Sequence, residues 1–421
     1  VSGPRGVVVS IGDELVSGLH LDLNAPRLAR GLLELGVPIE RFLSLPDDPK
    51  AVAEALREEG ARADFLVASG GLGPTLDDVT RDAAAAAGGV PLELDPGQLA
   101  AIEARFARRG LPTPESNRRQ ALFPKGSAVL ANPWGTAPGF RMRIGRALAF
   151  FLPGPPREME AMLEAAVLPA IREALPARPG AFVRRRLHAF GVMEAILGER
   201  IADWMAGENP RVGTTVRKGE ITVSILARGG DEGSARALAE RAAEDIRGRL
   251  VEAVFGEEGT TLAGAVGRLL IERGISCATA ESCTGGLLAK ALTDTPGISA
   301  VYREGLVVYS NEAKVARLGV PPGTLERFGA VSRETALAMA EGVARTAGVR
   351  LGLSVTGIAG PAGGSPEKPV GLVFLGVCLD GCARAWRRQY PPSDRRLIRE
   401  LAAREALNLA RLLLLGRARE E

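Results

Sequence analysis

The sequence predicts a multidomain α/β protein. Three observations lead there. The first third alternates apolar strand-like runs with amphipathic helix-like runs, which in one chain favours a parallel sheet covered by helices. A Pro/Gly-rich break at Pro176-Ala177-Arg178-Pro179-Gly180 then opens a small α+β segment, and a second break at Gly256-Glu257-Glu258-Gly259 returns the chain to α/β alternation. A chain of 421 residues has room for several domains. The expected boundaries are 1–175, 176–255 and 256–421.

In the first domain, Val7 to Gly12 reads as a buried strand ending in Asp13 and Glu14. A helix follows from about Pro26 to Leu35, then a strand from Ile39 to Leu45 and a helix from Pro49 to Glu59. The strand Phe65 to Ala68 runs into Ser69-Gly70-Gly71-Leu72-Gly73-Pro74-Thr75, and a helix is expected to open at Asp77-Asp78. This glycine loop is neither a Walker A nor a GxGxxG sequence, yet its backbone N–H groups suit a phosphate. Carboxylates beside such a loop suit Mg²⁺, since hard cations take oxygen ligands and bridge to substrate phosphates. A plain capping box formed by Thr75 and Asp78 is the competing reading. Asn117 and Arg118 supply further anion donors, Asn132 to Gly139 is a dense turn, and Ala147–Leu152 is a strand closed by Pro153-Gly154-Pro155-Pro156. A helix then runs from Glu158 to about Leu175.

The middle segment predicts a strand over Phe182–Phe190 and a helix over Glu194–Met205. A hairpin, Arg211–Arg217 with Glu220–Ala227, turns through Lys218-Gly219. A long helix spans Glu232–Arg249. The run Arg184-Arg185-Arg186 reads as a solvated edge strand protected by charge.

The last domain is organised around Thr279-Ala280-Glu281-Ser282-Cys283-Thr284-Gly285-Gly286. A strand (Ile275 to Ala280) precedes it and a helix (Leu287 to Thr293) follows, so hydroxyls and two glycines sit at a strand-to-helix turn. Such a turn is ordinarily just a helix cap. It also holds two candidate nucleophiles, Ser282 and Cys283, beside backbone donors suited to an oxyanion. Further on, Tyr309 and Lys314 straddle a helix start capped by Ser310 or Asn311, and a helix spans Arg333–Ala347. The strand Leu351–Val355 ends in Thr356-Gly357-Ile358-Ala359-Gly360-Pro361. Two more strands, ending at Cys378 and Tyr390, precede a helix from about Arg395 to Leu415.

Composition narrows the classes. Hydrophobic residues make up 46% and charged residues 24%, which is globular rather than disordered. A net charge of +3 gives no electrostatic argument for nucleic acid. The four cysteines form no CxxC pair and the two histidines, His20 and His188, lie far from them, which argues against a disulfide framework or a zinc site. With two histidines, acid–base work falls to Lys, Tyr, Asp, Glu or water. No leader is evident at the start and apolar runs stop short of a membrane span, so the sequence reads as soluble and cytoplasmic.

Taken together, Gly12-Asp13-Glu14-Leu15, the 69–81 loop, Asn132 to Gly139 and Leu152 to Pro156 resemble the CinA family. So do Ala280 to Gly286, Tyr309 to Lys314, Gly357 to Pro361 and Lys368 to Gly371 in the last third. The resemblance covers essentially the whole chain. It implies a MogA/MoeA-like, molybdopterin-binding-type α/β sandwich first, then a KH-like α+β domain, then an α/β deamidase domain. The implied first activity is a pyrophosphatase that splits ADP-ribose into AMP and ribose 5-phosphate with Mg²⁺ or another divalent cation. Asp13 and Asp78 match positions for metal or water handling, Ser69, Gly70, Gly71, Gly73 and Thr75 a phosphate loop, and Asn117 and Arg118 substrate donors. The implied second activity hydrolyses nicotinamide mononucleotide to nicotinate mononucleotide and ammonia, with no cofactor.

For that amide chemistry the resemblance makes Ser282 the nucleophile, Lys314 its base, Tyr309 a relay or holder of the lysine, Thr356 a substrate-side hydroxyl and Arg395 the ligand of the 5′-phosphate. Gly285, Gly286, Gly357 and Gly360 would line the substrate. Bland readings stand beside these: a solvated Lys314, a core ring for Tyr309, a surface cap for Arg395. Cys283 is the rival nucleophile, as thiolates are intrinsically better. The middle domain lacks the GXXG loop with which KH domains clamp nucleotides, and shows Met193-Glu194-Ala195 where the family has Glu-Ser after the glycine. It is expected to be a spacer, and a homodimer is the default assembly. Two other functions stay open: a non-catalytic nucleotide- or pterin-binding module, and an interaction protein of competence or DNA damage.

Overall fold

The computed structural model describes residues 4–175 and 181–418. The break expected at Pro176-Ala177-Arg178-Pro179-Gly180 lies outside the described residues, as do the first three positions of the segment read for a leader. The chain forms two compact units. One runs to Val183 and takes in Ala227–Leu238; the other comprises Arg184–Leu226 and the chain from Ala239 onward.

In the first unit, β1 (Gly6–Ile11), β2 (Ile39–Leu45) and β3 (Phe65–Ser69) follow the expected alternation with helices Ala25–Glu34 and Pro49–Arg62. A short antiparallel pair, β4 (Leu92–Leu94) and β5 (Leu122–Pro124), lies apart from the main sheet. Then come β6 (Ala128–Leu130), β7 (Gly139–Ile144) and β8 (Ala147–Leu152). The sheet order is β2-β1-β3-β8-β7-β6. It is mixed, not wholly parallel as the alternation predicts. β1, β2, β3 and β8 run parallel, whereas β7 runs antiparallel to β8, because the two-residue turn Gly145-Arg146 joins them directly, and β6 in turn pairs antiparallel with β7. Gly145 sits at φ 57°, the left-handed region such a tight turn needs. Apolar clusters fill both faces, one around Val9, Leu56, Ala68 and Phe151 and one around Val8, Leu28, Val67 and Met162. From β1 the chain passes to β2 on one side and later to β3 on the other. The crevice beyond the carboxyl ends of β1 and β3 is therefore a topological switch point, where ligands of open sheets bind.

The middle segment forms a sheet of order β10-β11-β9-β12, from β9 (Ala181–Phe190), β10 (Arg211–Arg217), β11 (Glu220–Gly229) and β12 (Val254–Glu257). The β10–β11 turn has Lys218 at φ 51° and Gly219 at φ 77°, the two positive angles of the expected two-residue hairpin. The predicted Glu194–Met205 helix is split into Glu194–Arg200 and Ala202–Ala206. Against expectation, β9 is an interior strand. Its arginines are paired rather than merely solvated: Arg185 bonds Glu240, and Arg186 lies 3.1 Å from Glu258. Charge still fits there because β12 pairs only with Leu187–Ala189 and leaves the arginine stretch unflanked on that side.

The last domain carries β13 (Cys277–Glu281), β14 (Tyr302–Val307), β15 (Leu351–Gly357), β16 (Leu372–Leu379) and β17 (Cys382–Gln389) in the order β14-β13-β15-β16-β17. β13 is parallel to both neighbours, and β15, β16 and β17 are antiparallel. Helix Arg395–Leu414 packs its Ile398, Ala402, Ala406 and Leu409 into the core with Val266, Leu288, Leu353 and Leu375. Here too an interior strand, β13, sends the chain to β14 on one side and later to β15 on the other. The site-bearing loop leaves its carboxyl end. Among the described residues no helix is long and apolar enough to cross a membrane.

Candidate active sites

Ser282 stands one residue past β13. Its N–H donates to the Val355 carbonyl at 2.9 Å, extending the parallel ladder, and its carbonyl accepts from Gly285 N–H at 3.2 Å. Gly285 (φ 58°) and Gly286 (φ 93°) then swing the chain into helix Leu287–Thr293. The sequence points to a hydroxyl cap for that helix, with its free N–H groups left for an oxyanion. The structure differs. The Glu281 carboxylate reaches over the turn and accepts from Gly286 N (3.0 Å), Leu288 N (3.0 Å) and Ala289 N (2.8 Å). A charged carboxylate outcompetes a hydroxyl for amides at a helix start, where the helix dipole adds to the bond. Those N–H groups are therefore engaged, and Thr284 Oγ1 is buried without a partner among the described residues.

Lys314 lies in helix Asn311–Leu318, whose start is capped by Ser310 Oγ accepting from Ala313 N at 3.1 Å. It is 1% exposed, so it is no solvated surface lysine. Its Nζ sits 3.3 Å from Ser282 Oγ and bonds the carbonyls of Val308 (3.0 Å), Tyr309 (3.2 Å) and Ser310 (3.4 Å). Burial lowers its pKa from the ordinary lysine value, with Glu312 partly opposing. Cys283 is 5% exposed, and burial pushes its thiol up to about 12. At neutral pH it is a thiol, a poor nucleophile.

Tyr309 meets Lys314 through its backbone carbonyl. Its ring is 61% exposed, so it is not a core ring, and its hydroxyl accepts from Arg395 Nη2 at 3.0 Å. Arg395 Nη1 also donates to Gly360 O at 2.6 Å, tying the Gly357–Gly360 segment to Tyr309. Thr356 is buried at the end of β15, and its Oγ1 donates to Ala330 O at 2.7 Å. Gly357 is the last residue of β15, paired with Val373. Sequence reasoning assigned no role to Glu281 or to Arg399, whose fork donates to the Cys283 carbonyl (Nε, 2.9 Å) and the Thr284 carbonyl (Nη2, 2.6 Å). The available signal for Arg399 was its position four residues after Arg395, on the same helix face.

The first unit has a cavity of about 590 Å³ at its switch point, lined among others by Ser10, Glu14, Asp47, Ser69, Gly70, Gly71, Gly73, Asp77, Asp78 and Gln120. Gly70 (φ 111°) passes so near the Ile11 carbonyl that any Cβ would collide with it. The expected helix start at Asp77-Asp78 is displaced to Thr80, because Asp78 is spent on the loop itself. Asp78 Oδ1 accepts from Gly73 N at 2.6 Å, and Oδ2 accepts from Thr75 N at 2.8 Å and from Thr75 Oγ1. Behind the loop the buried Arg81, lowered to about 10 by burial, donates to Leu72 O at 2.9 Å. Asp13 and Asp47 exchange bonds: Asp13 N donates to Asp47 Oδ2 at 2.9 Å and Asp47 N to Asp13 Oδ1 at 3.1 Å. Burial, then the neighbouring Asp13, Glu14 and Asp77, hold the Asp47 carboxyl above the usual range. Asn117 is buried behind the lining, donating to Gln120 Oε1 at 2.8 Å, and Arg118 is exposed outside it. Among the described residues no three His, Cys, Asp or Glu side chains converge as a ready metal cage.

Three family models match the chain: "Probable molybdopterin binding domain" over residues 7–173, "Damage-inducible protein CinA KH domain" over 184–256 and "CinA C-terminal domain" over 259–414. A CinA-like protein of Citrifermentans bemidjiense is 44% identical over 416 residues, covering 98% of both chains. One from Dictyoglomus thermophilum is 39% identical, covering 98% of this chain and all of its own. Among solved structures, the competence/damage inducible protein CihA from Agrobacterium tumefaciens is 44% identical over 37% of this chain and 97% of its own, with a TM-score of 0.35. With full-length relatives at this identity, the chain belongs to the CinA family.

Proposed function

We propose that the C-terminal domain is a Ser/Lys amidase that converts nicotinamide mononucleotide to nicotinate mononucleotide and ammonia. The observation that carries the reading is the buried Lys314 amine 3.3 Å from Ser282 Oγ. A serine hydroxyl needs a base, and a lysine serves only when burial favours its neutral form. The neutral Lys314 amine takes the Ser282 proton as Oγ bonds to the carboxamide carbon, and the C=O electron pair moves onto oxygen. The intermediate collapses with cleavage of the C–N bond, and the Lys314 ammonium gives its proton to the departing nitrogen, which leaves as ammonia. Water then attacks the acyl-Ser282 ester, passing a proton through Lys314 to Ser282 Oγ as the ester C–O bond breaks, and nicotinate mononucleotide is released. Arg395, with its exposed guanidinium beside the Tyr309 hydroxyl, offers a cation for the substrate's 5′-phosphate. Mass analysis of nicotinamide mononucleotide incubated with native protein and with Ser282→Ala tests the reading.

For the N-terminal domain we infer a divalent-cation-dependent hydrolysis of ADP-ribose to AMP and ribose 5-phosphate. Burial, and after it the neighbouring Asp13, Glu14 and Asp77, raise the Asp47 carboxyl, and a cation would favour its charged form, which supports the fit of such an ion. Asp13 and Asp47 would hold it together with substrate phosphates, the way Mg²⁺ is commonly bound, and it would supply charge neutralisation at the pyrophosphate. Asp78 acts through the glycine loop: it engages the Gly73 and Thr75 amides and so fixes the loop, leaving the Gly71 and Leu72 N–H groups for phosphate oxygens. Both substrates are fragments of NAD use, so the two domains would serve one recycling task.

A further inference from the structure

With Glu281 occupying the helix start, the amidase reading has no oxyanion donor from that helix, and the donors must come from the turn before it. Ser282 N–H is taken by Val355 O and Gly285 N–H by Ser282 O. The Cys283 N–H faces its own side chain's sulfur. Among the described residues the Thr284 N–H has no backbone acceptor. We propose that Thr284 N–H is the oxyanion donor and that Arg399 is the positioning residue that aims it. The inference rests on the amidase reading and deepens it.

Cys283 C=O and Thr284 N–H belong to one planar trans peptide and point in opposite directions. Arg399 Nε holds that carbonyl at 2.9 Å while Nη2 holds the next one, of Thr284, at 2.6 Å. One rigid fork on two successive carbonyls fixes both peptide planes, which a single-point cation does not do. Without it the 283–284 peptide, followed by two glycines of positive φ, is free to flip. The guanidinium also sits at the carbonyl end of the turn's dipoles, which strengthens the N–H donors at the opposite end. Gly285 is required for the approach: a Cβ there would lie 2.9 Å from Arg399 Nη2. Arg399 is half-buried on the second turn of helix Arg395–Leu414, anchored by Ile398 and Ala402 in the core. When Ser282 Oγ attacks, the electron pair arriving on the carboxamide oxygen meets a donor already in place.

The test compares native protein, Arg399→Ala and Arg399→Lys in two assays. The first is nicotinamide mononucleotide deamidation. The second is sulfonylation of Ser282 by phenylmethanesulfonyl fluoride, followed by intact mass, which needs no nucleotide. Loss of an oxyanion donor predicts that Arg399→Ala lowers kcat about 100-fold with KM within about threefold, and slows sulfonylation in parallel. Arg399→Lys falls between, guanidinium chloride restores part of the Arg399→Ala rate, and the pH limb set by Lys314 does not move. A raised KM at unchanged kcat, or sulfonylation at the native rate, overturns the proposal. So does a loss that guanidinium leaves unrestored together with a lowered Tm, which marks a merely structural arginine. If native protein leaves the nucleotide intact while Arg399→Ala still slows sulfonylation, the positioning role stands and the amidase reading falls.

Discussion

Lys314 Nζ and Ser282 Oγ lie 3.3 Å apart at the carboxyl end of β13, brought there by residues 32 positions apart in sequence. Three carbonyls crowd the same amine, so the pair is fixed by backbone as well as by side-chain packing. This arrangement favours Ser282 over its neighbour as the proposed nucleophile. Cys283→Ser should keep amidase activity within a few fold, whereas Lys314→Met should lose at least 1000-fold, as activated serines do without their base. Steady-state rates of the two variants check this; the reverse order would reassign the nucleophile to sulfur.

In the proposed mechanism the neutral amine is the working form, so activity should rise with pH through the lysine's lowered pKa. The limb of kcat/KM should therefore fall below the free lysine value of about 10.4. The sign for folding is the same: a depressed lysine contributes stability that is present above the ordinary value and lost as pH falls through the lowered one. A pH–rate profile with its limb at or above the free-lysine value contradicts the assignment.

Glu281 holds three amides of the Gly286–Ala289 segment. Glu281→Gln removes the charge and replaces one accepting oxygen by a donor that faces N–H groups, at a cost of about 1–3 kcal/mol. Hydrogen-exchange protection of Gly286, Leu288 and Ala289 should drop about tenfold to a hundredfold, with the sheet amides of β15 and β16 unchanged. Native protection in the variant would show that the carboxylate is dispensable as a cap.

In the first unit the structure gives different parts to Asp13 and Asp78, which the sequence groups together as positions for metal or water handling. Asp78 shapes the glycine loop, whereas Asp47 shares the repelled acidic group with Asp13 and Glu14. Asp47→Asn should weaken the Mg²⁺ dependence of ADP-ribose turnover, read as a raised Mg²⁺ midpoint. Asp78→Ala should raise KM for ADP-ribose while leaving that midpoint in place. A shifted midpoint in Asp78→Ala and none in Asp47→Asn would return the metal to Asp78.

Much of this was legible because the signals are local. The Ser310 cap lies four residues before Lys314, and Lys218-Gly219 announces its hairpin by turn chemistry alone. The strand before Ser282 and the helix after it follow from the pattern of apolar runs. What was missed depends on contacts formed only by folding. Thr356 Oγ1 donates a hydrogen bond to the Ala330 carbonyl, 26 residues earlier, and Arg399 reaches carbonyls 115 and 116 residues away. Glu281 was in plain sight beside Ser282, but its role requires the chain to double back through two left-handed glycines. β7 escaped notice because it follows the turn-rich Asn132–Gly139 stretch, and helix Pro322–Phe328 because Pro321, Pro322 and Gly329 frame it like a loop.

The most direct measurement of the central claim is mass-resolved turnover of nicotinamide mononucleotide by native protein and Ser282→Ala. The account predicts nicotinate mononucleotide and ammonia in equal amounts from the native protein, and none above background from the variant. Absence of product from the native protein, or equal product from both, would contradict it.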